Sequence, residues 1–114
     1  MLIGGFISGP DERGSANIVV RAIGPSLQHR GVANALQNPA LELRDANGAL
    51  IAANDDWAND AAASQVDGAG LAPEDASESA IYISLPPGSC TAIVRGANDQ
   101  SGVALVEIYR LAEP

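Results

Sequence analysis

The residues best suited to chemistry are a group of oxygen-bearing side chains just after the middle of the chain. They are Asn54, Asp55, Asp56, Asn59 and Asp60. Calcium is a hard cation that binds six to eight oxygens from carboxylates, amides and backbone carbonyls, so these residue types predict a calcium site. The spacing does not match an EF-hand loop, and the alternative is a solvated acidic loop.

The rest of this acidic segment is better interpreted as a solvated loop than as part of a metal site. From Asp55 to Ser79 the chain carries no basic residue and no alternation of apolar and polar positions. We therefore interpret the segment as a long acidic crossover with a short helix from Asp60 to Val66, capped by Asn59. Its further carboxylates are predicted to be solvated. They are Asp67, Glu74, Asp75 and Glu78.

Other catalytic and binding patterns are missing from the sequence. His29 is the only histidine, and no serine has the Gly-x-Ser-x-Gly setting of a nucleophile elbow. Cys90 is the only cysteine, so no internal disulfide can form, and we expect a buried, unreactive thiol. The sequence thus favours a non-catalytic protein.

The charge of the chain limits the classes of molecule that it is expected to bind. The formal net charge is −8 and all six basic residues are arginine. Nucleic acid is not an expected partner, because binding phosphates requires a basic surface. The apolar start of the chain, residues 1–7, is too short for a membrane-spanning helix, so no membrane insertion is expected. An acidic, lysine-free surface suits an extracellular protein.

The elements that position these residues are mainly strands. Apolar and polar residues alternate along short segments separated by turn residues, the pattern of an antiparallel β-sandwich. We predict an all-β fold of about seven strands, Greek-key or jelly-roll-like, in one domain spanning residues 1–114. The predicted strands include Leu2–Ser8, Ala16–Ile23, Ser79–Leu85, Cys90–Gly96 and Val103–Leu111, the first two forming a hairpin through the polar turn at 9–14.

A further hairpin is predicted within Leu41–Trp57. Asp45-Ala46-Asn47-Gly48 has Asp and Gly where a type I turn followed by a G1 bulge places them. A three-residue loop pairs Asp45 with Ala49, Leu43 with Ile51 and Leu41 with Ala53, which puts the apolar residues on one face. The alternative two-residue turn pairs Leu43 with Ala52, and we prefer the first register.

Several motifs together resemble a repeated β-sandwich domain of large secreted and surface proteins of environmental bacteria. They include Val20-Arg21-Ala22-Ile23-Gly24-Pro25-Ser26-Leu27, Asn54-Asp55-Asp56-Trp57, Leu85-Pro86-Pro87-Gly88 and Gly102-Val103-Ala104-Leu105-Val106-Glu107. More loosely, the second half is similar to bacterial pre-peptidase C-terminal domains. The first resemblance implies an extracellular location but no established activity. The second implies a non-catalytic accessory module.

The sequence departs from the family pattern in three ways. Cys90 replaces an aromatic residue, Arg110 an acidic one, and family copies carry a further strand before Leu2. Without that strand the sheet has an open edge, and open edges recruit other chains. We therefore predict an assembly interface that joins the first and last strands across subunits, as self-association into a filament or oligomer. It comprises Leu2, Ile3, Phe6, Ile7, Val103, Leu105, Val106 and Ile108.

These observations favour a non-catalytic extracellular structural or adhesive module whose partners are other copies or neighbouring domains of a surface assembly. The alternative is a calcium-dependent carbohydrate- or matrix-binding accessory module of a secreted protein. That alternative requires an exposed aromatic platform. The aromatic residues are Phe6, Trp57, Tyr82 and Tyr109.

Overall fold

The structure, a computed structural model, describes residues 1–8 and 16–111 and contains seven strands in two antiparallel sheets. The predicted all-β sandwich is confirmed. The strands are β1 (Leu2–Ser8), β2 (Ala16–Ile23), β3 (Pro39–Asp45), β4 (Leu50–Asn54), β5 (Ser79–Leu85), β6 (Gly88–Gly96) and β7 (Leu105–Arg110).

The strand order is not the order of the chain. One sheet runs β1-β6-β3-β4 and the other β5-β2-β7, so every connection except that between β3 and β4 changes sheet. The predicted hairpin of β1 with β2 is wrong, because β1 pairs with β6 while β2 pairs with β5 and β7. Its turn at 9–14 lies outside the described residues. Alternation shows which face of a strand is buried, but not which strand lies beside it.

The core lies between the two sheets and consists of aliphatic side chains. Leu41 and Leu43 of β3 face Val20 of β2, and all three are at most 1% exposed. Val94 and Ala92 of β6 complete the same layer. β-branched and leucine side chains fill such an interior because they pack well on a pleated surface.

The hairpin turn is confirmed, but its strands pair differently beyond the turn. The N–H of Gly48 donates to the Asp45 carbonyl, the N–H of Asp45 donates to Ala49, and Gly48 has φ +82°. A bulge between Leu43 and Arg44 then shifts the register. Leu43 pairs with Ala52 instead of Ile51.

Because of the bulge, two residues of β4 that were predicted to face the core do not face it. Leu41 pairs with Asn54 instead of Ala53. Ile51 and Ala53 are exposed, whereas Ala52 packs against the core. A bulge adds one residue to one strand and so reverses the faces of those beyond it.

The helices are short. They are α1 (Pro25–Gln28), α2 (Ala63–Gly68) and 3₁₀ turns at Trp57–Asn59 and Ala97–Asp99. The predicted helix from Asp60 begins three residues later because Asp60 has extended backbone angles and Asn59 ends a 3₁₀ turn. No helix in the described ranges has the length and apolar character needed to cross a bilayer.

Candidate functional site

On one side of the sandwich, where β4 lies next to β5, the acidic crossover packs against β5. Asn54, at the end of β4, accepts a hydrogen bond at Oδ1 from the N–H of Ala80 in β5 (3.0 Å). Its Nδ2 donates to the Asp56 carbonyl (3.3 Å). The N–H of Trp57 donates to the Glu78 carbonyl (2.9 Å). Asn54 of β4 thus satisfies part of the β5 edge, and the Ser79 hydroxyl of β5 donates to the Asp55 carbonyl at the start of the crossover (2.6 Å).

Glu78 anchors this crossover to the rest of the fold. Its side chain is fully buried, and Oε2 accepts hydrogen bonds from the N–H groups of Gly24 (2.8 Å) and Ser26 (3.0 Å). Oε1 accepts from the Ser26 hydroxyl (2.6 Å) and the N–H of Asp75 (3.2 Å). The prediction that Glu78 is solvated is therefore wrong. Its partners at α1 are 52 to 54 residues away, and no local pattern reveals them.

The other carboxylates of the crossover agree better with the prediction that they are solvated. Asp67 is exposed, and Glu74 is exposed while paired with Arg30 (2.7 Å). Asp75 is half-buried, and its Oδ1 accepts from the hydroxyl and the N–H of Ser77 (2.6 and 2.9 Å). These hydrogen bonds lower the pKa of Asp75 because they favour the charged form.

The predicted calcium ligands are partly committed to holding the fold. Asn54 uses both ends of its amide within the chain, and Asp60 Oδ2 lies 3.4 Å from the N–H of Ala62. Burial, and secondarily the charge of Asp56, raises the pKa of Asp55. Within residues 1–8 and 16–111, no three His, Cys, Asp or Glu side chains are grouped as a metal would require. The calcium site stays a prediction.

The aromatic side chains do not form an exposed platform. Phe6 packs against the core from β1. Trp57, Tyr82 and Tyr109 are all half-buried, and the Arg21 guanidinium lies 5.4 Å from the centre of the Tyr109 ring. The cysteine prediction is confirmed, because Cys90 is buried and this burial raises the pKa of its thiol.

The opposite side of the sandwich is open. Within the described part of the chain, β1 pairs only with β6 and β7 only with β2, so each has one edge without a strand partner. A Cβ on Gly4 would lie 3.3 Å from Cγ1 of Val106, which places the two edges on the same side. Met1 and Leu2 also line one cavity with Val103 and Ala104. The strands β1 and β7 therefore run side by side in the same direction. We call this the open side.

The residues predicted for an assembly interface lie on or next to the two strands of the open side. Three of them pack inward against the core, namely Leu2, Phe6 and Val106. The other five are exposed, namely Ile3, Ile7, Val103, Leu105 and Ile108. Ile3 is 55% exposed and Ile7 74% exposed, which is unusual for isoleucine on a strand. The fold makes the strands β1 and β7 neighbours, while Ile3 and Ile7 project from the outer face of one sheet and Leu105 from the outer face of the other.

The open side carries little unbalanced charge. Strand β1 has no charged residue. In β7, Glu107 is neutralised by Arg21 of β2, which donates through Nε and Nη2 to Glu107 Oε1. The Arg21 Nη1 donates to the Leu71 carbonyl (3.1 Å), and the Tyr109 hydroxyl donates to Glu107 Oε2 (3.0 Å). The side chains of Arg21, Glu107 and Tyr109 thus satisfy one another within the fold.

The chain matches no protein-family model, and no curated protein or solved structure is significantly similar to it.

Proposed function

We propose that this chain is a non-catalytic extracellular structural or adhesive module that binds neighbouring copies or domains through its open side. The single observation that carries the proposal is the pair of unpaired strand edges, β1 and β7, next to each other. An edge strand presents a row of unpaired N–H and C=O groups, which another β-strand can satisfy by β-augmentation.

Two further features support the proposal. On the opposite side, the edge of β5 is bonded to Asn54 and to the start of the crossover, whereas β1 and β7 have no strand on their outer edges within the described residues. The sequence also resembles a repeated domain of large secreted and surface proteins, where a module that joins others is the expected role. Its acidic, lysine-free composition suits that extracellular setting.

The experiment is the concentration dependence of mass by light scattering, with one charge placed on the open side. Ile3→Lys puts an ammonium on the edge strand, a device that natural proteins use to prevent edge pairing. We expect self-association to weaken by about tenfold or more, which corresponds to about 1.4 kcal/mol.

Leu50→Lys is the matched control. Leu50 is 52% exposed, close to the 55% of Ile3, but lies on β4, at the other edge of the same sheet. This variant should associate like the wild type. A wild-type chain that stays monomeric at millimolar concentration would contradict self-association, and equal effects of the two lysines would contradict the open side as its location.

A further inference from the structure

We infer that the open side binds a second copy of this chain around a two-fold axis. In this pair β1 is antiparallel to β1 of the second copy, and β7 lies beside β7 of the second copy. This inference rests on the proposed function and specifies its partner and geometry. The product is a closed pair of subunits in which each sheet continues into the sheet of the neighbour.

The geometry follows from the placement of the two edges. A two-fold axis perpendicular to the sheets reverses strand direction, so it gives the antiparallel pairing that is slightly the more stable. The two sheets of a subunit are about 10 Å apart, and rotation about this axis leaves each sheet in its own layer. Strands β1 and β7 can therefore each pair with the corresponding strand of the second copy at once. Because β1 and β7 lie on one side, this contact pairs both of their outer edges, and a contact around a two-fold axis closes at two subunits.

The sequence of β1 fits such an axis at its central residue, Gly5. With Gly5 opposite Gly5 of the second copy, Ile3 lies opposite Ile7 on the outer face, and this pair occurs twice. The most exposed side chains of the strand then cover each other. Cross-strand aliphatic pairs of this kind stabilise a sheet.

The inner face fits the same register. Gly4 lies opposite Phe6 of the second copy, again twice. The glycine leaves its part of the inner face without a side chain, and the aromatic ring of Phe6 would cover it and reach Val106, which stands beside Gly4. Aromatic residues opposite glycine on an edge strand compensate for the missing side chain.

Charge favours a second copy at this place. The chain carries 14 acidic and 6 basic residues, so two copies repel over most of their surfaces. Strand β1 contributes no charge, and the Glu107 carboxylate of β7 is held by Arg21. Two acidic chains can therefore meet at the open side without bringing unpaired carboxylates together.

Single cysteines test the register by disulfide formation under mild oxidation. Gly5→Cys has room, since its Cβ would lie 4.0 Å from the Cys90 carbonyl oxygen, an ordinary contact. Opposed Cβ atoms in an antiparallel pair are about 4.5–5.5 Å apart, near the reach of a disulfide. We expect Gly5→Cys to cross-link with itself, and Ile3→Cys to cross-link with Ile7→Cys in a mixture more than either does alone.

Two controls accompany these variants. Leu50→Cys, exposed on β4, and the wild type, whose Cys90 is buried, should stay uncross-linked. Light scattering should show a mass that levels off at twice the 11.6 kDa of the chain. Amide exchange in wild-type β1 should slow as concentration rises, which tests the contact without any substitution.

The outcomes separate this inference from the proposed function. If mass doubles or grows while Gly5→Cys cross-links no more than Leu50→Cys, or only with Leu105→Cys of β7, the two-fold register is wrong and self-association stands. If the wild type stays monomeric and exchange in β1 does not depend on concentration, self-association itself is wrong, and the inference is lost with it.

Discussion

Glu78 connects three parts of the chain that are distant in sequence. Its carboxylate accepts hydrogen bonds from the end of β2, from the first turn of α1 and from the crossover. Burying a carboxylate without such donors would cost several kcal/mol of folding free energy, so these hydrogen bonds are what allow Glu78 to lie in the interior. Ser26 contributes both its hydroxyl and its N–H, which makes α1 part of this arrangement.

Replacing Glu78 should therefore destabilise the fold strongly. Glu78→Gln keeps the shape but turns an amide NH₂ toward groups that are themselves donors. We expect the free energy of unfolding to fall by about 3 kcal/mol, measured by urea denaturation. Glu74→Gln is the control, since Glu74 is exposed and its ion pair with Arg30 contributes at most about 1 kcal/mol. Similar losses for both variants would contradict the anchoring role of Glu78.

At the scale of elements, the β3–β4 hairpin shows how a turn and a bulge share control of register. The turn pairs Asp45 with Ala49 through backbone hydrogen bonds, and Asp45 Oδ1 also accepts from the N–H of Asn47 (2.9 Å). The bulge next to Arg44 then places Ala52, rather than Ile51, against the core. The turn fixes the start of the hairpin, and core packing fixes the rest.

The positive φ of the turn can be tested by a matched pair of alanine substitutions. Gly48 and Gly68 both have open space where a Cβ would go, but only Gly48 has φ in the left-handed region, at +82°. Gly48→Ala should lower the free energy of unfolding by about 1 kcal/mol. Gly68→Ala, at the end of α2, should leave it unchanged or raise it by up to about 1 kcal/mol. Equal thermal shifts would show that the turn conformation is wrong.

At the scale of the whole molecule, the two sides of the sandwich differ. The crossover packs against β5, and Asn54 bonds directly to the β5 backbone. Within residues 1–8 and 16–111, no strand pairs with the outer edges of β1 and β7, although Asn34 and Leu36 bond to the backbone of Val103 just before β7. A strongly acidic molecule with one uncharged edge strand should associate in a way that depends on salt.

We expect added salt to strengthen self-association. Two chains of charge −8 repel at long range, and screening shortens that repulsion from about 30 Å at 0.01 M to about 8 Å at 0.15 M ionic strength. The dissociation constant measured by sedimentation should fall several-fold over that range. Ile3→Lys should remain weakly associated throughout. A dissociation constant that rises with salt would show that ion pairs, not apolar contact, hold the copies together.

The sequence by itself determined the class of the fold and most of its strands. Alternation along β5 predicts which face is buried, because side chains of a strand point to alternate faces. The Asp45–Gly48 turn is likewise local, since the conformational freedom of glycine at Gly48 is a property of that residue. The residues of the open side were also named from sequence, as apolar positions on the first and last strands, but which of them are exposed was not.

Tertiary structure alone decided how these pieces meet. That β1 pairs with β6, and not with β2, depends on contacts between residues far apart in the chain. The burial of Glu78 has the same origin, because an acidic residue in a polar segment looks solvated until Gly24 and Ser26 are brought to it. Local patterns encode which face is apolar and where the chain turns. Long-range pairing is selected by packing of the whole core, which is why β1 and β7 become neighbours only in the folded protein.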